Sequence, residues 1–346
     1  MTFGAERQMD PRRPVPNPRA ALAAGALVLA AFATAAPPAA AVEGAAAVEG
    51  VKLLVQADRV RIEIDGRHFS DYLFFSGSKP CLYPLLDADG TSFTRDWPFR
   101  EDNDEERDHS WHRSFWFGLG LVNGHDFWRM IPEKNTGEVR HDRVLETRDG
   151  AEGVLRVAHR WVVGEANVVC TDETTLRFRR VPEGTIVDHH VTLKASHGPL
   201  VLGDTEEGAL GVRVRESLRV VHADREGTGT IVNAHGDRNV AAWGRRAPWC
   251  DYSGPLADGR TVGIAIFDHP GNLSHPTWWH VRPYGLFAAN PFGRHDFEGL
   301  ADQPQAGEQK IPDGGTLSLR HAVFFHRGDL AAARVAEHYR QFAELP

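Results

Sequence analysis

From Val51 onward apolar and polar residues alternate at every second position, and this pattern limits the possible fold more than any other feature of the chain. "RVRIEIDGRHF" sets Val60, Ile62 and Ile64 on one face and Arg59, Arg61 and Glu63 on the other, then breaks at Asp65-Gly66. A period of two belongs to a strand with one face in a core, and Asp-Gly is a hairpin turn signal. The pattern returns at 154–163, 174–181, 184–195, 210–218, 261–267 and 316–326, with turn residues between. Segments so spaced predict an all-β chain, a large antiparallel β-sandwich. One helix is predicted at 329–345, where Ala332, Val335, Ala336, Tyr339 and Phe342 fall at helical spacing behind Asp329 as N-cap. No linker or repeat divides residues 50–346, which read as a single domain. The stretches 84–115 and 268–315 lack alternation, and loops of that length in a compact β domain commonly carry function.

Residues 1–41 stand apart. Arg7, Arg12, Arg13 and Arg19 precede an apolar, alanine-rich run at 20–36 that closes on the small residues Ala39 and Ala41. This is the pattern of a cleaved secretory signal and predicts a secreted or periplasmic protein. No other apolar run approaches the ~18 residues of a spanning helix, so no membrane association is expected after cleavage. Without residues 1–41 the chain keeps 35 basic against 45 acidic side chains, a net charge of −10, which disfavours nucleic acid as a partner. Cys81, Cys170 and Cys250 show no zinc-ribbon spacing, and their pairing is left open.

Two stretches concentrate the chemistry. "DHSWHRSFWFGLGLVNGHDFW" at 108–128 holds His109, Trp111, His112, Arg113, Asn123, His125, Asp126 and Trp128, with glycines that allow tight bends. Histidines three apart, like His109 and His112, converge only if the backbone turns between them. Trp116 and Phe117 are expected in the core. The acidic run "REDNDEERD" before this stretch reads as a solvated loop, without the spacing of a calcium site. The second stretch, at 268–293, contains Trp278, Trp279, His280, Arg282, Tyr284 and Asn290. On a strand, Trp278, His280 and Arg282 share one face. Flat aromatic surface beside fixed donors and acceptors suits a sugar ring. Between the two, "DTEEGALGVRV" and "WCDYSG" offer Asp204, Glu207, Arg213 and Asp251 as a carboxylate and its orienting cation, with Tyr252 as an aromatic; Glu206 and Glu207 are adjacent, so on a strand only one points inward. Phosphate cradles, the serine nucleophile elbow, the zinc helix and the dinucleotide fingerprint are all missing from the sequence.

With "SKPCLYPL" at 78–85, these stretches resemble a bacterial family of unknown function known as PmoA-like, or methane oxygenase PmoA. Where that family often carries His-Pro-His-His-Arg, this chain has His109, Ser110, Trp111, His112 and Arg113, one imidazole fewer. The oxygenase label conflicts with the lack of a spanning segment. The resemblance implies a β-sandwich similar to the galactose-mutarotase supersandwich, and relatives joined to sugar oxidoreductases. Positions matching its motifs are Lys79, His109, His112, Arg113, Asn123, Trp128, Asp251, His280, Arg282 and Asn290.

Three functions remain open. The first is an exported carbohydrate-active hydrolase, lyase or epimerase acting on a glycoside or oxidised sugar, a small-molecule or oligosaccharide substrate. In it His109, His112 or His280 moves a proton, Glu207 or Asp251 orients or accepts it, and Arg113 and Arg282 stabilise negative charge. Lys79, Trp111, Asn123, Asp126, Trp128, Tyr252, Trp278, Tyr284 and Asn290 would bind the substrate. The second is a non-catalytic sugar-binding module. The third is a divalent metal held by His109, His112, His280 and a carboxylate, although no cofactor is required by any motif.

Overall fold

The computed structural model describes residues 49–101, 104–131 and 135–346, so the leader expected at 1–41 lies outside the described residues. Two eight-stranded antiparallel sheets carry the fold. The first runs, in spatial order, Val51–Val55, Arg59–Ile64, Arg67–Leu73, Cys81–Leu85, Phe115–Leu119, Gly208–Arg213, Leu286–Asn290 and Trp278–Val281. The second runs Thr230–Asn233, Trp249–Pro255, Thr261–Asp268, Thr316–Arg327, Gly184–Lys194, Asn167–Val181, Glu152–Val163 and Glu138–Arg148.

Local sequence explains the pairings. Asp65 and Gly66 adopt φ of 51° and 71°, the left-handed pair of a type I′ turn, whose twist matches that of the strands it joins. The turn fixes Ile64 opposite Arg67, so Val60, Ile62 and Ile64 all enter the core. There they meet Leu155, Val157, Leu176, Phe178, Ile264, Ile266 and Phe325 of the second sheet. Phe69 bridges the layers edge-on to Phe178 and Phe325, with ring centroids 6.3 and 6.0 Å away. Each such aromatic contributes roughly 1.5–3 kcal/mol by leaving water.

Two elements differ from expectation. The strand expected over 210–218 ends at Arg213, because Val214 and Arg215 turn to donate to Gly285 and Phe93 and a 3-10 turn follows at Glu216–Leu218. The C-terminal helix is shorter than 329–345. Asp329 does cap a turn, its Oδ1 accepting from the amides of Ala331 and Ala332, but Arg334 is left-handed at φ 54° and the helix proper is Val335–Ala343. Val335 and Phe342 hold it against Phe267 and Phe324 on the outside of the second sheet. The stretch 268–315 is not one loop, since it contains the strands Trp278–Val281 and Leu286–Asn290 and the short helix Arg294–Glu298. Cys81, Cys170 and Cys250 are free thiols, all buried.

Candidate functional site

The outward face of the first sheet is where the two ring-rich stretches meet. Cys81 stands opposite Trp116, Trp116 opposite Gly211, Gly211 opposite Ala288, and Ala288 opposite His280, one cross-strand row over five strands. With strands ~4.8 Å apart, the backbones of Trp116 and His280 lie about 14 Å from each other. Gly211 and Ala288 between them, and Gly118 beside Trp116, make a floor of minimal side chains. The alternate residues Phe115, Leu210, Val212, Phe287, Trp279 and Val281 point into the sandwich core. A Cβ on Gly211 would lie 2.6 Å from Trp116 Cζ2 and 2.8 Å from Trp128 Cη2, so the two indoles rest directly on this glycine. Trp116, expected in the inter-sheet core, therefore belongs to the site, while Phe117 packs inward against Trp161 and His189.

The backbone does turn between His109 and His112. The amide of His112 donates to the His109 carbonyl at 2.9 Å, and His109 takes φ 40°, a conformation costing an L-residue roughly 1–2 kcal/mol. The two imidazoles stack in parallel, centroids 4.8 Å apart, and His109 also stacks on Tyr284 at 5.2 Å. His112 continues the stack onto Trp116 at 5.4 Å. Arg213 donates from Nη1 to His112 Nδ1 at 3.3 Å, which leaves the proton of the neutral ring on Nε2. Burial, then the charge of Arg213, holds His112 well below the ordinary histidine pKa. His109 differs in access: its side chain is 38% exposed, and its Nδ1 lies 2.7 Å from Asp108 Oδ2. Asp108 also accepts from Arg213 Nη2 at 2.8 Å and binds Arg95, and both guanidiniums are completely buried. Burial pushes the Asp108 carboxyl up, but the hydrogen bond from His109 and the charges of Arg213 and Arg95 outweigh it and hold it below the usual carboxylate range.

The loop before the strand Gly208–Arg213 delivers two adjacent carboxylates. Glu206 and Glu207 need not diverge as on a strand, because this loop is held by Asn290, whose Nδ2 donates to the carbonyls of Thr205 and Glu206 at 2.9 Å each. Glu206 meets Arg282 Nη2 at 2.8 Å and lies 3.9 Å from His280 Nε2. Glu207 meets Arg129 Nη2 at 2.6 Å, and the same guanidinium binds Asp126 at 2.9 Å. Burial raises the Glu207 pKa despite Arg129. Arg282 Nε donates to His280 Nε2 at 3.2 Å and its guanidinium covers the Trp243 ring at 4.6 Å. Burial first, then the Arg282 charge, pushes the His280 pKa down to about 3.

Other expected site residues serve elsewhere. Asp251 points from the outward face of the second sheet and binds His326 Nε2 at 2.8 Å, on the far side of the sandwich from His280. Tyr252 is a core strut, its hydroxyl donating to the Pro283 carbonyl at 2.9 Å. Asn123 latches a turn to the strand Leu200–Leu202 through the Pro199 carbonyl and the Val201 amide. Asn290 positions the acidic loop with all of its polar atoms engaged. Trp278 shares the His280 face but is covered by Arg246 at 4.7 Å. Asp126 accepts from the amides of Trp128 and Arg129 and so orients Arg129. Trp128 forms the indole pair with Trp116, Trp111 packs against their cluster, Lys79 donates to the Trp128 carbonyl, and Arg113 stands beside Met130 and Phe99.

The acidic run at 100–108 is not solvated throughout. Glu106 pairs with Arg219, Asp108 with Arg95 and Arg213, and Glu105 accepts from the amides of Asp96 and Trp97. Asp108, Arg95, Arg129 and Trp243 were not predictable as site members, since their partners are distant in sequence. Arg213 is expected only as an orienting cation, and Glu206 is not expected in the site, because on a strand it would point away from Glu207. Among the described residues no cluster of three or more His, Cys, Asp or Glu is placed to hold a metal ion. Parallel stacking of His109 on His112 aims their nitrogens side by side rather than at one point, and both His112 and His280 already accept from an arginine.

Comparison with known proteins adds little to this geometry. A family model described as a family of unknown function (DUF6807) matches residues 59–340 and does not carry the PmoA-like label. No curated protein sequence matches the chain. Among solved structures, the α-galactosidase AgaB from Geobacillus stearothermophilus is 11% identical, over 81% of this chain and 41% of its own length, with a TM-score of 0.39. A galactose mutarotase related enzyme from Lactobacillus acidophilus is 7% identical over 80% of this chain and 97% of its own, at 0.33. A 4-alpha-glucanotransferase from Thermococcus litoralis is 10% identical over 80% of this chain and 39% of its own, at 0.27. The chain thus spans well under half of two of these proteins, and overlaps this loose carry no argument about chemistry.

Proposed function

We propose, for a chain that belongs to this family of unknown function, a carbohydrate-active enzyme whose proton-moving group is His109. The observation that carries the reading is the His109–Asp108 pair: a carboxylate 2.7 Å from Nδ1 fixes the tautomer and leaves Nε2 free on a ring 38% exposed. His112 and His280, buried and spoken for by arginines, are left with polarising and positioning roles. Tyr284 is taken up by His109 and Arg213, so the partly exposed Trp111, edge-on to His109 at 5.3 Å, supplies the flat surface for a sugar ring, and Glu206 and Glu207, set by Arg282 and Arg129, supply acceptors for hydroxyls. The reaction is a proton transfer at a C–H or O–H of the sugar, as in hydrolases, lyases and epimerases. The arginine-flanked leader supports action outside the cytoplasm.

A panel of glycosides incubated with the wild type and with His109→Ala tests this. Turnover should fall roughly 10²- to 10⁴-fold in the variant, while the melting temperature stays close to the wild type. Wild-type turnover by His109→Ala overturns the assignment. The engagement of both buried imidazoles by arginines also suits a binding module without catalysis. Saturable glycan affinity with no product from the wild type would select that reading.

A further inference from the structure

On the same face of the sheet as His109, Lys79 and Arg113 carry positive charge with no carboxylate in ion-pair contact among the described residues. Lys79 is completely buried, and its Nζ donates only to neutral oxygens, the Trp128 carbonyl at 2.6 Å and Ser78 Oγ at 3.2 Å. Arg113 is half-buried and forms no ion pair among the described residues. Its Nη2 lies 3.9 Å from Met130 Sδ, its guanidinium faces the Phe99 ring at 5.6 Å, and its Nε is buried without a hydrogen-bond partner. Gly77 beside it takes φ 85°, a conformation that favours glycine, and a Cβ there would press on the mobile ends of Arg113 and Met130 at 2.8 and 2.6 Å. Burial pushes the Lys79 pKa down to about 7; the charge of Asp126 opposes the shift and that of Arg113 adds to it.

The neighbouring hydrogen-bonding groups lean the same way. Trp116 Nε1, Trp128 Nε1, Arg113 Nε and Arg213 Nε are all buried and unpartnered, and all are donors. The side-chain oxygens of Asp108, Asp126, Glu206, Glu207 and Asn290 are not among the unpartnered atoms. The donors follow one another along the face: Arg213 touches His112, His112 stacks on Trp116, the Trp116 and Trp128 rings are 5.0 Å apart, and the Trp128 carbonyl accepts from Lys79. A surplus of buried donors with unanswered cations describes a place shaped for an acceptor-rich anion.

We propose that the substrate is an acidic sugar whose anionic group is met by the half-exposed guanidinium of Arg113, with the buried Lys79 adding positive charge behind it. This rests on the carbohydrate reading above and narrows it to a sugar bearing a carboxylate, with a phosphate ester as the other source of the same charge. Arg113 is the binding determinant for that group, and its half-exposed position provides the approach from solvent.

Calorimetric titration of the intact protein with paired ligands tests the proposal: methyl glucuronide against methyl glucoside, methyl galacturonide against methyl galactoside, glucose 6-phosphate, and sodium acetate and phosphate alone. The acidic member of a pair should bind about tenfold or more tightly, the scale of one charge-assisted hydrogen bond. Arg113→Gln should remove that preference and Arg113→Lys should keep most of it. Added salt should weaken acidic ligands and leave neutral ones unchanged, a readout on the wild type that needs no variant. Equal affinity for acidic and neutral partners, or preference that survives Arg113→Gln, overturns the anion site and leaves the carbohydrate reading standing. Binding of acetate or phosphate lost in Arg113→Gln, with no response to any glycoside, keeps the anion site and overturns the carbohydrate reading. No binding by any ligand overturns both.

Discussion

Asp108→Asn is the substitution with the clearest consequence. The carboxylate is the one acid shared by Arg95 and Arg213, both fully buried, and it also receives His109. Asparagine keeps the shape and removes the charge, so two guanidiniums would remain in the interior with carbonyls, an imidazole and an amide as company. Breaking a buried pair costs roughly 3–5 kcal/mol, and the low end applies because the Asp108 side chain is 21% exposed. A loss of about 3 kcal/mol in a chain of this size corresponds to a fall in melting temperature of about 4–5 °C. The pH dependence has a definite sign. The folded carboxyl titrates below its ordinary value, so its stabilisation is complete above roughly pH 5 and disappears as the pH falls from about 4 toward the lower folded value. Urea unfolding at pH 7, 5 and 4 should therefore show a constant gap between wild type and variant at the first two, and a narrowing gap at the third. A variant within about 1 °C of the wild type at pH 7, or a gap that widens on acidification, would refute the reasoning.

Asp251→Ala should cost about 1–3 kcal/mol by stranding the buried His326, measured by denaturant unfolding, while glycan affinity stays at the wild-type value because Asp251 faces away from the site. Gly211→Val should destabilise by about 1–3 kcal/mol through overpacking against the two indoles, and should alter the near-ultraviolet dichroism of tryptophan; an unchanged spectrum would mean the indoles do not rest on residue 211.

Much of this arrangement is legible in the sequence, for identifiable reasons. Asp65-Gly66 dictates its hairpin because both residues tolerate positive φ, and the long strands declare themselves through alternation. The union of 109–128 with 278–290 follows from residue type but not its register, which depends on the pairing of Trp116 with Gly211 and of His280 with Ala288. Trp116 and Phe117 read alike because loops cover the outer face, so burial on both sides erases the polar half of the alternation. The acidic run at 100–108 looked solvated because composition is local, whereas Arg213 and Arg219, which capture Asp108 and Glu106, lie over a hundred residues onward. Asp251 has the right chemistry and the wrong side of a sheet, a distinction no spacing argument makes without the strand order.

The floor of Gly118, Gly211 and Ala288 lets the overlying segments close down on the sheet. Side chains so short give their space to what lies on top of them: the Trp116 and Trp128 rings settle onto Gly211, and the Phe127 carbonyl approaches Gly118. A homologue with a bulky residue at Gly211 or Gly118 would have to lift these overlying segments away from the sheet, whatever histidines and arginines it kept.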